Sequence, residues 1–298
     1  MSHIPFTLLA YFLNATAVTV DKFMLTKHIP NPLIYIFYFS AFSALALLAL
    51  PFTKIPSLEV FLIASTSTVL WTTGAYFMFK ALQVGLVSRV IPIIGTLIPM
   101  ILLLEAVWNK TISTAEITAI ILLIGGIIFL TIMDWKGKIS RQEIIFELLS
   151  ATLFAISYLV LRQAYLRADF LTVLVWSRFI ILPVSIIVLL VPKLKIQVFS
   201  NSPDQPQFSL FSKAGLLFLF GQAAGGSSEL LLTFSISLAT PALVNSLQGT
   251  QYAFLFLFSL VLAQKFPEIF KENFSSLMII SKLVGIGFIA SGLFMLAQ

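Results

Sequence analysis

The chain reads as a succession of apolar runs divided by short polar punctuation. Runs of the length needed to cross a bilayer as a helix, about 18–25 residues, recur ten times, over 5–25, 32–50, 58–80, 86–108, 114–133, 144–162, 170–191, 214–237, 240–264 and 275–297. "HIPNP", "PFTKIPS", "DWKGKISRQE" and "SNSPDQPQ" mark the turns between several of them. A segment inside lipid must satisfy every backbone N–H and C=O internally, so each run is expected to be a helix. The third and fourth runs, and the eighth and ninth, are joined by so few residues that each pair is expected to form a tight antiparallel hairpin.

The runs fall into two related sets. "LLAYFLNATAVTVDKFMLTK" from Leu8 aligns with "LLSATLFAISYLVLRQAYLR" from Leu148, which sets Lys22 on Arg162 and Lys27 on Arg167. Further on, Gly95-Thr96 falls on Gly249-Thr250, Ala119 on Gly285 and Gly126 on Gly292. The fold class expected is therefore an all-α polytopic membrane protein, with ten transmembrane helices as two inverted five-helix repeats, 1–135 and 143–298. An odd number of helices per repeat turns the second upside down relative to the first, an architecture shared by many secondary transporters with a midplane site.

Composition agrees with lipid as the solvent. The 298 residues are 59% hydrophobic and 10% charged, with a mean hydropathy of +1.04. A soluble domain carries about 25% charged residues. The chain has no cysteine and only two histidines, His3 and His28, so disulfides are excluded and a His/Cys metal site is not expected. No GxxxxGK[ST] loop for ATP occurs, and no HExxH or GxSxG motif of an enzyme. The net charge of +6 sits in short loops, which suits membrane orientation better than nucleic acid.

"FKALQVGLVSRVIPIIGTLIPMILLLEAVWNK" followed by "LLIGGIIFL" resembles the helix 3–4–5 signature of EamA-type proteins of the drug/metabolite transporter superfamily. Ala81-Leu82, Pro99, Glu105 and Gly125-Gly126 carry the likeness in the first half, and Pro241, Gly285 and Gly292 in the second. Gln264-Lys265 stands where the pattern has an acid. The resemblance implies ten helices in two inverted halves and a metabolite transporter, usually an exporter, with no cofactor. It leaves the substrate open.

Polar residues inside the spans are the candidate site. A charge at the bilayer centre costs about 2.5–3.5 kcal/mol or more, so such residues are functional candidates by default. Let side A be the face holding the N-terminus. At about 1.5 Å rise per residue, Glu229, Arg178, Gln248 and Asn14 all fall roughly 12 Å deep, in one layer. Glu229 reads either as half of a structural ion pair with Arg178 or as a substrate ligand and proton carrier. Asn245, Gln248 and Gln251/Tyr252 share one helix face, for interhelical bonding or for a cavity. Trp71, Tyr38, Tyr76, Trp176 and Tyr158 are candidates for an aromatic lining, the last two equally for interfacial anchors. Pro92 and Pro99 around Gly95 are expected to kink the fourth helix. The substrate-binding set is thus Glu229, Arg178, Gln248, Asn245, Asn14, Trp71 and Tyr38, with Glu229 as the proton-coupling group.

These residues suit a small zwitterion, amine or aromatic metabolite, moved by alternating access and driven by protons or an exchanged substrate. A passive channel or membrane scaffold is the alternative, and an intramembrane enzyme a more distant one. The expected setting is the cytoplasmic membrane, as a monomer, with both lipid and a small molecule as partners. Orientation is divided. Side B loops hold twelve Lys and Arg residues against four on side A, Lys54, Lys110, Arg162 and Arg167. That bias puts side B in the cytoplasm and both termini outside, whereas the family resemblance implies termini inside.

Overall fold

The structure, a computed structural model, describes residues 3–27, 32–84, 87–110, 112–132, 140–181, 212–262 and 275–297, with scattered positions between 183 and 192. Among these residues every regular element is helical. The elements are α1 (His3–Lys27), α2 (Pro32–Ser43) continued by a 3-10 segment (Ala44–Phe52), α3 (Leu58–Val84), α4 (Val87–Trp108), α5 (Thr114–Thr131) and α6 (Arg141–Tyr165). Then follow α7 (Phe170–Ser177) with a 3-10 turn (Arg178–Ile180), α8 (Lys213–Leu238), α9 (Pro241–Ser246), α10 (Gly249–Leu262) and α11 (Ser276–Ala297). Among the described residues six helical stretches are long and apolar enough to cross a membrane: His3–Asp21, Leu58–Ala81, Thr114–Thr131, Arg141–Tyr165, Lys213–Leu238 and Ser276–Met295. Leu48, Leu104, Leu257 and Phe294 are exposed on the outside of the bundle. An apolar outer surface on apolar helices is the character of a membrane protein.

The helices begin where a short polar residue can take up the orphan N–H groups of the first turn. Ser113 accepts from Glu116 N at 3.3 Å while the Glu116 carboxylate accepts from Ser113 N at 2.7 Å, a closed capping box. Ser140, Asp169 and Ser212 cap α6, α7 and α8 with a side-chain oxygen that accepts from the backbone N–H of Glu143, Thr172 and Gly215.

Three predicted spans are not single α-helices, and the run 32–50 changes to 3-10 geometry at Ala44. The run 240–264 breaks at Leu247-Gln248, where the backbone tightens to Gln248 N→Asn245 O (3.1 Å) and Gln251 N→Gln248 O (2.9 Å). Side chains take up carbonyls around the break: Ser246 Oγ donates to Leu243 O, Thr250 Oγ1 to Leu247 O and Asn245 Nδ2 to Pro241 O, at 2.8, 2.8 and 2.9 Å. Short polar side chains compete with the helical ladder in this way, which is why hydropathy alone read the run as continuous. The run 170–191 leaves the α-helix at Arg178, and most of its remainder lies outside the described residues. So do the loops carrying Lys136, Lys138, Lys193, Lys195, Lys265 and Lys271.

The bundle is built on three extended pairings, α1 along α8, α3 along α6 and α5 along α11. Apolar helices in lipid gain little by hiding apolar surface from one another, so close approach of backbones matters more. At the α5–α11 crossing a Cβ on Gly126 would lie 2.9 Å from Gly285 O, one on Gly285 2.8 Å from Gly126 O, and one on Gly292 3.0 Å from Ala119 O. On α8, a Cβ at Gly221 would lie 2.6 Å from Val20 Cγ1 of α1. Tyr11, Leu102, Leu123, Phe218 and Ile236 are among the most deeply buried side chains of the core.

Candidate functional site at the centre of the bundle

A cavity of about 200 Å³ opens between α1, α3, α4, α6, α8, α9 and α10. From α1 come Tyr11, Asn14 and Asp21, from α3 Trp71 and Thr72, and from α6 Phe154 and Tyr158. From α8 come Gln222, Ser228 and Glu229, and from the broken segment Asn245, Gln248 and Gln251. Of the residues expected to bind, Asn14, Trp71, Glu229, Asn245 and Gln248 therefore share one wall. Arg178 and Tyr38 do not line it. Tyr38 packs edge-on to Phe218, with ring centroids 5.6 Å apart.

The local backbone explains how these groups converge. Pro99 has no N–H for the carbonyl of Gly95 one turn earlier, and Gly95 faces the cavity. A Cβ at Gly95 would fall on the Tyr252 hydroxyl and lie 2.9 Å from Gln248 Nε2. Glycine is thus required for α10 to approach α4 here, and Tyr252 Oη uses the approach to donate to Ile91 O at 3.0 Å. On the other flank Tyr11 Oη donates to Val244 O at 3.2 Å, which ties α1 to the segment before the break. Gly225 sets α8 against Ala17 of α1, while a Cβ at Gly226 would meet nothing within 4 Å.

Polar capacity is left over at the wall. The Ser228 hydroxyl and Gln251 Oε1 are buried, each residue 2% exposed, and neither atom has a hydrogen-bond partner. An orphaned buried polar group costs about 1–3 kcal/mol, so a ligand or water that satisfied both would be favoured. The Glu229 side chain lines the same cavity, while its backbone carbonyl accepts from Thr233 Oγ1 at 2.8 Å.

Among the described residues no ion pair joins Glu229 to Arg178; Arg167 pairs with Glu59 instead, at 3.1 Å on side A. Arg178 acts on Glu229 only through space, and on Tyr165 likewise. The physical reason is azimuthal: Arg178 shares the depth of Glu229 but ends α7, outside the ring of helices that walls the cavity. Glu229 and Asp21 are the only charged side chains on the wall among the described residues, and both are acids. Asp21 has a partner of its own.

Tyr158 and Trp71 both line the cavity. Trp176 instead donates its indole N–H to Thr53 Oγ1 at 3.1 Å, near side A, in keeping with an anchor. Tyr76 packs into the core away from the cavity; the Pro92 side chain lies outside the described residues. Tyr11, Asp21, Gln222 and Ser228 are wall residues that sequence reasoning did not assign. A signal was present for two of them: Tyr11, Asn14 and Asp21 stand at i, i+3 and i+10, one face of α1. Lys282, also passed over, is buried in α11 with Nζ 4.7 Å from the Phe256 ring centroid, and it does not line the cavity.

Towards side A, aromatic contacts and one arginine tie the helices together. Phe234 stacks edge-on against both Phe6 and Phe170 at 5.2 Å, and Tyr165 lies over Phe170 at 5.6 Å. Arg162 Nη1 donates to Ile236 O at 2.7 Å and also to Ser237 O, clamping α6 to the C-terminal end of α8. The wall residues extend the other way, to Asp21 and Phe79 towards side B.

No family model and no curated protein matches the chain. Among solved structures, one whose description names no activity superposes with a TM-score of 0.64 over 97% of this chain and 95% of its own, at 14% identity. The chain is therefore similar to that structure in fold along nearly its whole length.

Proposed function

We propose that this chain is a secondary active transporter, working as an exporter of a small metabolite by alternating access around the central cavity. The observation that carries the reading is the cavity itself, walled by helices from both halves of the chain, lined by two acids and five amides, and bordered by a helix broken at Gln248. Discontinuous helices beside a midplane site are a recurring device of transporters.

The helix pairings support two inverted repeats. If α1 corresponds to α6 and α3 to α8, the pairings α1–α8 and α3–α6 are images of one another. The same register exchanges the contact Gly126–Gly285 with Ala119–Gly292. On this reading the ten predicted spans are ten crossings, and one half rocks against the other. We read the contacts of Phe6, Phe170, Phe234 and Arg162 on side A as the closed end of the cavity, which favours a carrier over an open channel. We place the protein in the cytoplasmic membrane as a monomer, with side B inside on the charge count, so that this state receives cargo from the cytoplasm.

Counterflow in proteoliposomes tests the reading: vesicles loaded with an unlabelled substrate should transiently accumulate the labelled one, which a channel or scaffold does not produce. Gln248→Leu should slow exchange at least several-fold with thermal stability near wild type. If that variant loses stability instead, Gln248 holds helices together and is not a ligand.

A further inference from the structure

We infer that the cargo is a small organic monocation, an amine of about one ring and a short chain, its ammonium seated at Glu229 and hydrogen-bonded by Gln251 Oε1 and the Ser228 hydroxyl. This rests on the transporter reading and adds the chemistry of the ligand.

Charge comes first. The described wall has no lysine, arginine or histidine, and its two charges are carboxylates. Asp21, at the side B end, already has a partner. Glu229 makes no ion pair among the described residues, and Arg178 reaches it only through space. Such a wall repels a carboxylate or phosphate and attracts a cation.

Hydrogen bonding agrees. An ammonium offers only donors, and Gln251 Oε1 is a buried acceptor with nothing bonded to it. The Ser228 oxygen, equally unpartnered, is next in sequence to Glu229. Two unpartnered oxygens and one carboxylate thus belong to residues that line a single cavity, and an ammonium has three N–H bonds to give such acceptors.

Size and shape complete the ligand. A cavity of about 150 Å³ holds benzene, and this one is about 200 Å³. That leaves room for a ring and two or three further atoms. The Trp71 and Phe154 rings meet at 5.5 Å on the wall, next to Tyr158. Aromatic faces hold both a flat body and a positive charge.

The test uses the full chain, in detergent for binding and in proteoliposomes for exchange, with three probes of one shape: 2-phenylethylamine, 2-phenylethanol and phenylacetate. The amine is expected to bind at least roughly tenfold tighter than the alcohol, and the acid not to bind, since a hydrogen bond to a charged group gives about 1.5–3 kcal/mol and 1.4 kcal/mol is tenfold. Glu229→Gln should erase that preference by weakening the amine at least several-fold more than the alcohol. Gln251→Leu and Ser228→Ala keep the charge and should each weaken the amine alone. Melting curves verify that each variant is folded, and if Glu229→Gln is not, the other two decide. Equal binding of alcohol and amine, binding of the acid, no binding of the amine, or variants that leave the preference intact each overturn the assignment. Counterflow separates the two proposals. Amine preference without exchange keeps the cation site and removes the transporter, whereas exchange of only the neutral or acidic probe does the reverse.

Discussion

At the scale of single residues, the cavity depends on one absent side chain. At Gly95 α4 comes so close to α10 that a Cβ would displace both Tyr252 and Gln248. Gly95→Ala is expected to lower stability by about 1–3 kcal/mol, the usual penalty of overpacking, and to disturb the amide of Gln248. Adding Tyr252→Phe removes the hydroxyl that the new methyl would strike, so the double variant should recover part of the loss. Thermal unfolding of the two single variants and the double measures this, and strict additivity would refute the contact. That Gly95 mattered was visible in the sequence from the flanking Pro92 and Pro99, but the partner across the gap was not. Glycine has no side chain to announce what approaches it, and Tyr252 is 157 residues away along the chain.

At the scale of elements, caps and clamps decide where helices stop and which ends stay together. Asp169 caps α7, accepting from Thr172 N at 2.9 Å and Thr172 Oγ1 at 2.8 Å. The Thr172 backbone N–H, foremost, holds this carboxyl below the usual carboxylate range. A depressed folded-state pKa contributes stability that is full above the unfolded value and is lost as pH falls through the folded one. Asp169→Ala should therefore cost about 1 kcal/mol at neutral pH, as a lost N-cap does, with a gap to wild type that narrows as the carboxylate range is crossed. Asp169→Asn, which caps without ionising, should show no such narrowing; melting temperatures across that range compare all three. On the same side, Arg162 joins α6 to the end of α8 through the Ile236 and Ser237 carbonyls. Arg162→Gln is expected to destabilise this closed state by on the order of 1.5–3 kcal/mol. In a chain with no native cysteine, it should also speed labelling of a Phe234→Cys reporter from side A. Unchanged labelling would show that the clamp plays no part in the seal.

At the scale of the whole molecule, orientation has its own prediction. With side B in the cytoplasm, a cysteine placed at Ser2 is labelled by an impermeant thiol reagent in intact cells, and protection there would reverse the assignment. How far the sequence carried is clearest from the layer of polar groups. Helical rise converts residue number into height, so the depth shared by Asn14, Glu229 and Gln248 was legible, and all three line one cavity. Arg178 shares that height and stands elsewhere, because hydropathy reports distance along an axis and not which way a helix is turned. The break at Gln248 escaped for a related reason: its carbonyls are taken by Ser246, Thr250 and Tyr11, and the last lies on another helix. What sequence alone determined, then, was whatever follows from local chemistry, namely apolar lengths, the starts of the runs at 114 and 170, and the small residues of α5 and α11. Which faces turn inward, which acid is left without a partner and what space remains between them depend on contacts among distant helices, and only the tertiary structure decided those.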